Sequence, residues 1–205
     1  MTGRARLVGA AVVAAALAAP AAAEARLIDL RAAAQAGGMF GWGQSSAVPD
    51  FFRQSAGPGI GFELGARLLV IDLSLSFLQL VDSGGLSGTL LQALLGVEVD
   101  IPVGQPKLST GQTVNVLHAG IAGGGALGTG APVSFPINNE QVADKGLVSR
   151  FRFGYEYFLN PFMGVGGQLD FGYHYFLAGQ PINGMDHASG FHLIGLGQLT
   201  FHLGY

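Results

Sequence analysis

The residues of this chain that could do chemistry recur at spacings of two and mix both signs of charge. Asp29 and Arg31 come first, followed by Glu63, Arg67 and Asp72, then Glu98 and Asp100, then Arg150 and Arg152, and last Glu156 and Asp170. Four guanidiniums among seven carboxylates suit mutual pairing, because the planar fork of one arginine can satisfy two carboxylates at once. A packed, salt-bridged polar core that does no chemistry is the first reading of such a set. A water-filled path is the second, with the carboxylate excess favouring cations. His174, His187 and His192 lie close together in sequence, and three imidazoles are candidate ligands for zinc or copper. Clustering by chance is the plainer explanation, so the expectation is no metal and no cofactor. With no cysteine in the chain, thiol chemistry and disulfides are excluded.

A spacing of two is the spacing of a β-strand, which turns successive side chains to opposite faces. The stretch Phe191 to Tyr205 shows it best. Phe191, Leu193, Leu199, Phe201, Leu203 and Tyr205 share one face, whereas His192, Gln198, Thr200 and His202 share the other, along with Ile194 and Leu196. Seven further strands follow from the same alternation. The first starts near Arg26, with Asp29 and Arg31 opposed to Ile28 and Leu30, and Met39 to Trp42 can extend it. Gly59 to Leu68 and Ile71 to Leu80 come next, joined at Leu69-Val70, where the parity of the polar residues flips. A fourth strand spans about Ser87 to Ile101, although Leu90 and Leu94 on its polar face leave a helix over 86–95 as an alternative. The fifth, about Val114 to Leu127, is glycine-rich, and His118 suggests that its even positions look inward. Two strands flank the Asn160-Pro161 turn, with Arg150, Arg152 and Glu156 on one and Asp170 and His174 on the other. Segments 43–58, 128–146 and 177–189 read as loops from their proline, asparagine and charge content.

Composition says where such strands belong. Charged residues are 11% of the chain, and Lys107 and Lys145 are its only lysines, against about 25% charged residues in an ordinary soluble domain. No window holds the long apolar run of a transmembrane helix. A lipocalin-like soluble barrel would carry charge on its outside, which so little lysine cannot supply. Arg4 and Arg6, the apolar run Leu7 to Leu17 and Pro20-Ala21-Ala22-Ala23 have the layout of a signal peptide. Cleavage after Ala23 would leave residues 24–205 as one domain, with eight basic against thirteen acidic residues. That acidic balance argues against nucleic acid as a partner.

The apolar final strand, with Leu199, Phe201, Leu203 and a terminal aromatic, Tyr205, resembles the C-terminal assembly signal of Gram-negative outer-membrane barrels. The chain as a whole resembles the small OmpA/OmpX/OmpW type, an all-β, eight-stranded antiparallel up-and-down transmembrane barrel. The resemblance implies insertion by the outer-membrane assembly machinery, contact with outer-membrane lipid and lipopolysaccharide, and periplasmic termini. It further implies a structural or surface-interaction role, with narrow passage of small solutes or ions as the alternative. Tyr155, Tyr157, Tyr173, Tyr175, Phe191 and Tyr205 then fall where aromatic belts meet the membrane interfaces. The polar set from Asp29 to Asp170 lines the lumen, which in an eight-stranded barrel is just wide enough for side chains to fill. Barrels that deacylate lipid A use a histidine and a serine two residues apart with a carboxylate. His187-Ala188-Ser189 has that spacing, but no acid follows Asp186 there, so the expectation is that the protein is not an enzyme.

Overall fold

Alternating faces of this kind can bury their backbone polar groups in a membrane only by closing into a cylinder, since an open sheet edge would leave a row of unpaired N–H and C=O groups. The computed structural model describes residues 27–42, 56–81, 87–104, 108, 114–129, 144–182 and 185–204. The leader expected over 1–23 and Tyr205 lie outside them. The strands are β1 (Ile28–Trp42), β2 (Ala56–Leu68), β3 (Ile71–Val81), β4 (Ser87–Pro102), β5 (Asn115–Thr129), β6 (Asp144–Asn160), β7 (Met163–Ile182) and β8 (Met185–Gly204). Each pairs antiparallel with its neighbour in sequence, and β1 closes on β8 through registers such as Ala32 opposite Phe201.

Several boundaries differ from the sequence reading. Over residues 87–95 the strand reading holds and the helical alternative does not, with β4 continuous from Ser87. Leu90 and Leu94, which make a helical pattern plausible, are inward-facing strand residues, almost completely buried. Residues 177–182 and 185–189, read as loop, are strand: β7 runs on to Ile182 and β8 starts at Met185, with a register shift between Leu177 and Ile182. Likewise β2 begins at Ala56, β5 continues to Thr129 and β6 begins at Asp144. Proline, glycine and asparagine lower strand propensity, but the pairing of a neighbouring strand overrides it.

Two tight turns, after β2 and after β6, lie at the same end of the barrel. At Leu69-Val70 a non-glycine residue, Leu69, adopts φ 56°, a conformation that two-residue hairpins usually reserve for glycine or asparagine. The turn is tied to its surroundings, as the Leu69 N–H donates to the Leu27 carbonyl at 3.0 Å and the Glu98 N–H to the Val70 carbonyl at 2.8 Å. At the second tight turn the side-chain oxygen of Asn160 accepts from the Phe162 N–H at 2.9 Å, the local bond for which asparagine is favoured in turns.

Among the described residues the outer surface is mainly apolar: Leu30, Leu64, Leu73, Leu95, Ile121, Phe151, Leu169 and Phe201 are all exposed, with Lys145 and Ser149 as polar exceptions on β6. The interior divides in two. Its half nearest the tight turns carries the acids and arginines, and the other half carries Met39, Leu78, Leu80, Leu90, Leu94, Val148, Ile194 and Leu196, packed as one cluster. The inward parity is therefore mixed: toward the outer end Gln92, His174 and His192 stand among inward-facing leucine, valine and isoleucine.

Candidate functional site

Strand register brings the first ion pairs together. Asp29 stands opposite Arg67, Arg152 opposite Asp170 and Asp100 opposite His118. Side chains long enough to cross the lumen then join distant strands. Arg152 on β6 sets Nε 3.1 Å from Asp170 and forks onto Glu63 of β2, with Nη1 at 2.7 Å and Nη2 against the second oxygen. Arg31 reaches Glu98 at 2.7 Å, Asp72 at 3.0 Å and Glu63 at 3.3 Å. Arg150 lies 3.4 Å from Asp170 and 3.6 Å from Glu63, and donates to the Ser74 hydroxyl at 3.2 Å. Glycine makes room for this crossing at two places. A Cβ at Gly65 would stand 2.6 Å from the Arg31 Nε, and one at Gly164 would collide with the Glu156 carboxylate at 2.1 Å.

Below this crossing a closed ring of six side chains circles the lumen. Arg67 forks onto Asp100 with both contacts at 2.5 Å. Asp100 receives His118 Nδ1 at 2.8 Å, and His118 Nε2 lies 3.2 Å from Glu156. The other oxygen of Glu156 faces His202 Nε2 at 3.1 Å, and His202 Nδ1 faces Asp29 at 3.0 Å. Asp29 returns to Arg67 at 3.6 Å. A histidine with a carboxylate at each nitrogen can donate to both only as the imidazolium. Four guanidiniums against seven carboxylates leave a formal excess of three negative charges in the set. His118 and His202 are the members of the site that sequence reasoning passed over. Parity places both on the inward face, but nothing in the sequence shows that each stands between two acids. Glu98, Asp100 and His118 offer ligand atoms within 4.8 Å of one another, yet Arg67 already supplies the cation there.

The remaining candidates sort by face. Tyr155, Tyr157, Tyr173, Tyr175 and Phe191 are outward and exposed. Tyr155 donates to the Asn115 side-chain oxygen at 2.5 Å, and Phe191 packs against Tyr173 with ring centroids 5.0 Å apart. Leu199, Phe201 and Leu203 face outward beside them. His174 and His192 face inward but are not directly opposite each other, as a symmetric hairpin would have them. His174 opposes Gly190, and His192 opposes Gly172. His187 and Ser189, read as loop residues, are strand residues of β8 opposite Leu177 and Tyr175. The His187 side chain lies outside the described residues.

Among the polar side chains lie cavities of about 20 Å³ and about 10 Å³, the scale of one water or less. The larger is bordered by Arg31, Glu63, Glu98, His118, Arg152 and Glu156. The arrangement is built to hold charges together.

A closed antiparallel cylinder with apolar side chains outward and charge within has the fold of a small eight-stranded outer-membrane β-barrel. No protein-family model matches the chain, and no curated protein matches it by sequence. Among solved structures it is similar to Neisserial surface protein A, with 14% identity over 87% of this chain and 97% of that one, at a TM-score of 0.48. It is similar also to the N-terminal β-barrel domain of OprF from Pseudomonas aeruginosa, with 16% identity over 84% and 97% of the two chains and a TM-score of 0.44. OprG from the same organism matches with 9% identity over 87% and 95%, at a TM-score of 0.42. At such identities the likeness concerns form only, and the reading of function rests on this chain's own residues.

Proposed function

We propose that the protein is an integral barrel of the outer membrane of a Gram-negative bacterium, that its lumen is plugged, and that it serves the membrane as a structural or surface-interaction protein and not as an enzyme. The observation that carries this reading is the filled interior. Arg31, Arg67, Arg150 and Arg152 cross the lumen to acids on facing strands, and the cavities beside them are no larger than a water. A leucine-rich layer closes the outer half. Exposed leucine, isoleucine and phenylalanine on every strand suit acyl chains, and the tyrosines near the strand ends suit the headgroup zone. Lipid and lipopolysaccharide are then its immediate partners, the outer-membrane assembly machinery inserts it, and both termini are periplasmic.

Expression with the native leader tests this placement. The mature protein should fractionate with the detergent-extracted outer membrane, resist protease, and migrate faster on gels before heating than after. Recovery as a soluble periplasmic protein would overturn it.

A further inference from the structure

We propose that His174 and His192 form a buried binding site for one transition-metal ion of the zinc or copper class, with the side-chain oxygen of Gln92 as a third donor. The two imidazoles lie side by side in the lumen, ring centroids 4.2 Å apart and tilted by 39°. Both are nearly inaccessible, at 3% and 1% exposure. Glycine makes the arrangement possible, since a Cβ at position 172 would sit 2.1 Å from His192 Cε1.

A neutral imidazole carries one N–H donor and one lone pair, and both need partners once buried. At His192 neither nitrogen has a hydrogen-bond partner, and no carboxylate pairs with it among the described residues. The contrast is with His202, which bonds an acid through each nitrogen, and with His118, whose Nδ1 bonds Asp100 and whose Nε2 lies 3.2 Å from Glu156 outside hydrogen-bond geometry. No hydrogen bond occupies the His192 nitrogens, so its lone pair is available to an ion shared with His174. With zinc–nitrogen bonds of about 2.0–2.1 Å, one ion bridges the pair once the rings part slightly from their centroid separation of 4.2 Å. Gln92 of β4 places its side-chain nitrogen 3.1 Å from His174 Nε2. A half-turn of the amide presents its oxygen there instead, since the two amide atoms exchange positions.

The surroundings select the ion. Leu90 and Leu94 flank Gln92, Val148 opposes His174 in register, and Ile194 follows His192 on the inward face. Calcium and magnesium demand several oxygen ligands, which this enclosure lacks, whereas imidazole suits zinc and copper. Among the described residues the cationic neighbour is Arg150, whose terminal nitrogens are directed at Asp170, Glu63 and Ser74.

The test uses the full mature barrel without a polyhistidine tag, refolded in detergent with Zn²⁺ or Cu²⁺ present and then desalted. One ion per folded, heat-modifiable barrel is expected for at least one of the two metals. Its X-ray absorption spectrum should show two imidazole nitrogens. His192→Phe should lower retained metal at least tenfold, and Gln92→Leu should weaken retention in a barrel that still folds. His187→Phe should leave retention unchanged. Retention of neither metal by folded protein, a spectrum without an imidazole pair, or loss of metal on His187→Phe with retention in His192→Phe would each overturn the site. The spectrum of the unsubstituted protein decides the question even where a variant fails to fold.

Discussion

Arg152 meets Glu63 through a two-pronged contact and Asp170 through Nε and Nη2, at 6% side-chain exposure. Removing one member of such a set strips the others of their best-placed partner, at up to about 3–5 kcal/mol, while removing both partners costs much less. Arg152→Gln and Asp170→Asn should therefore each lower the unfolding free energy by that order, and the double variant should fall well short of their sum. A coupling of about 1–3 kcal/mol is expected in denaturant titrations of refolded protein. The cycle of Arg150 with Glu63, which rests on one contact at 3.6 Å, should give a smaller coupling. Equal couplings in the two cycles would refute the geometry. Of the two registers that parity allows across the Asn160-Pro161 turn, the structure has Arg152 opposite Asp170. Facing could be read from alternation alone. The reach of Arg152 to Glu63 could not, because β2 and β6 meet only across the lumen.

At the scale of elements, Leu69 carries a positive φ within a two-residue turn, where a side chain costs about 1–2 kcal/mol relative to glycine. Leu69→Gly should stabilise the barrel by up to about 1 kcal/mol, once the added freedom of the unfolded chain is subtracted. A loss of stability would mean that Leu69 packing outweighs its backbone strain. This turn is hard to read in the sequence for the same reason: its residue is not the one that the conformation favours. The strand ends were blurred by a different cause. Residues 177–182 and 185–189 have loop-like composition, yet each continues a strand because the other is there to pair with. On the last strand, Phe201 is half exposed and His202 is buried between Asp29 and Glu156. Phe201→Arg would place a charge against lipid, at about 2–4 kcal/mol near the membrane midplane and less toward the interface. His202→Arg places a cation between the same two acids. Folding yield and stability should therefore suffer more from the first, and equal tolerance would contradict the assigned faces.

For the molecule as a whole, eight strands and an inward set of charges were legible because a closed barrel forces one parity to share one lumen. The outer apolar half was not, since Leu78, Leu80, Leu90 and Leu94 on the polar parity look like lapses in a pattern until the structure gathers them into one layer. The resemblance of the final strand to an assembly signal adds an expectation for the cell: Tyr205→Asp should leave export intact and reduce the amount of heat-modifiable barrel in the outer membrane. An unchanged amount would remove that role from Tyr205. The central claim, a membrane barrel closed by its own charged and apolar side chains, is tested most directly by planar-bilayer recording of the refolded, unsubstituted protein. No steady single-channel conductance is expected, because cavities of about 20 Å³ and about 10 Å³ hold at most a water or two. A large, steady, cation-selective conductance would contradict the plug and make the protein a channel.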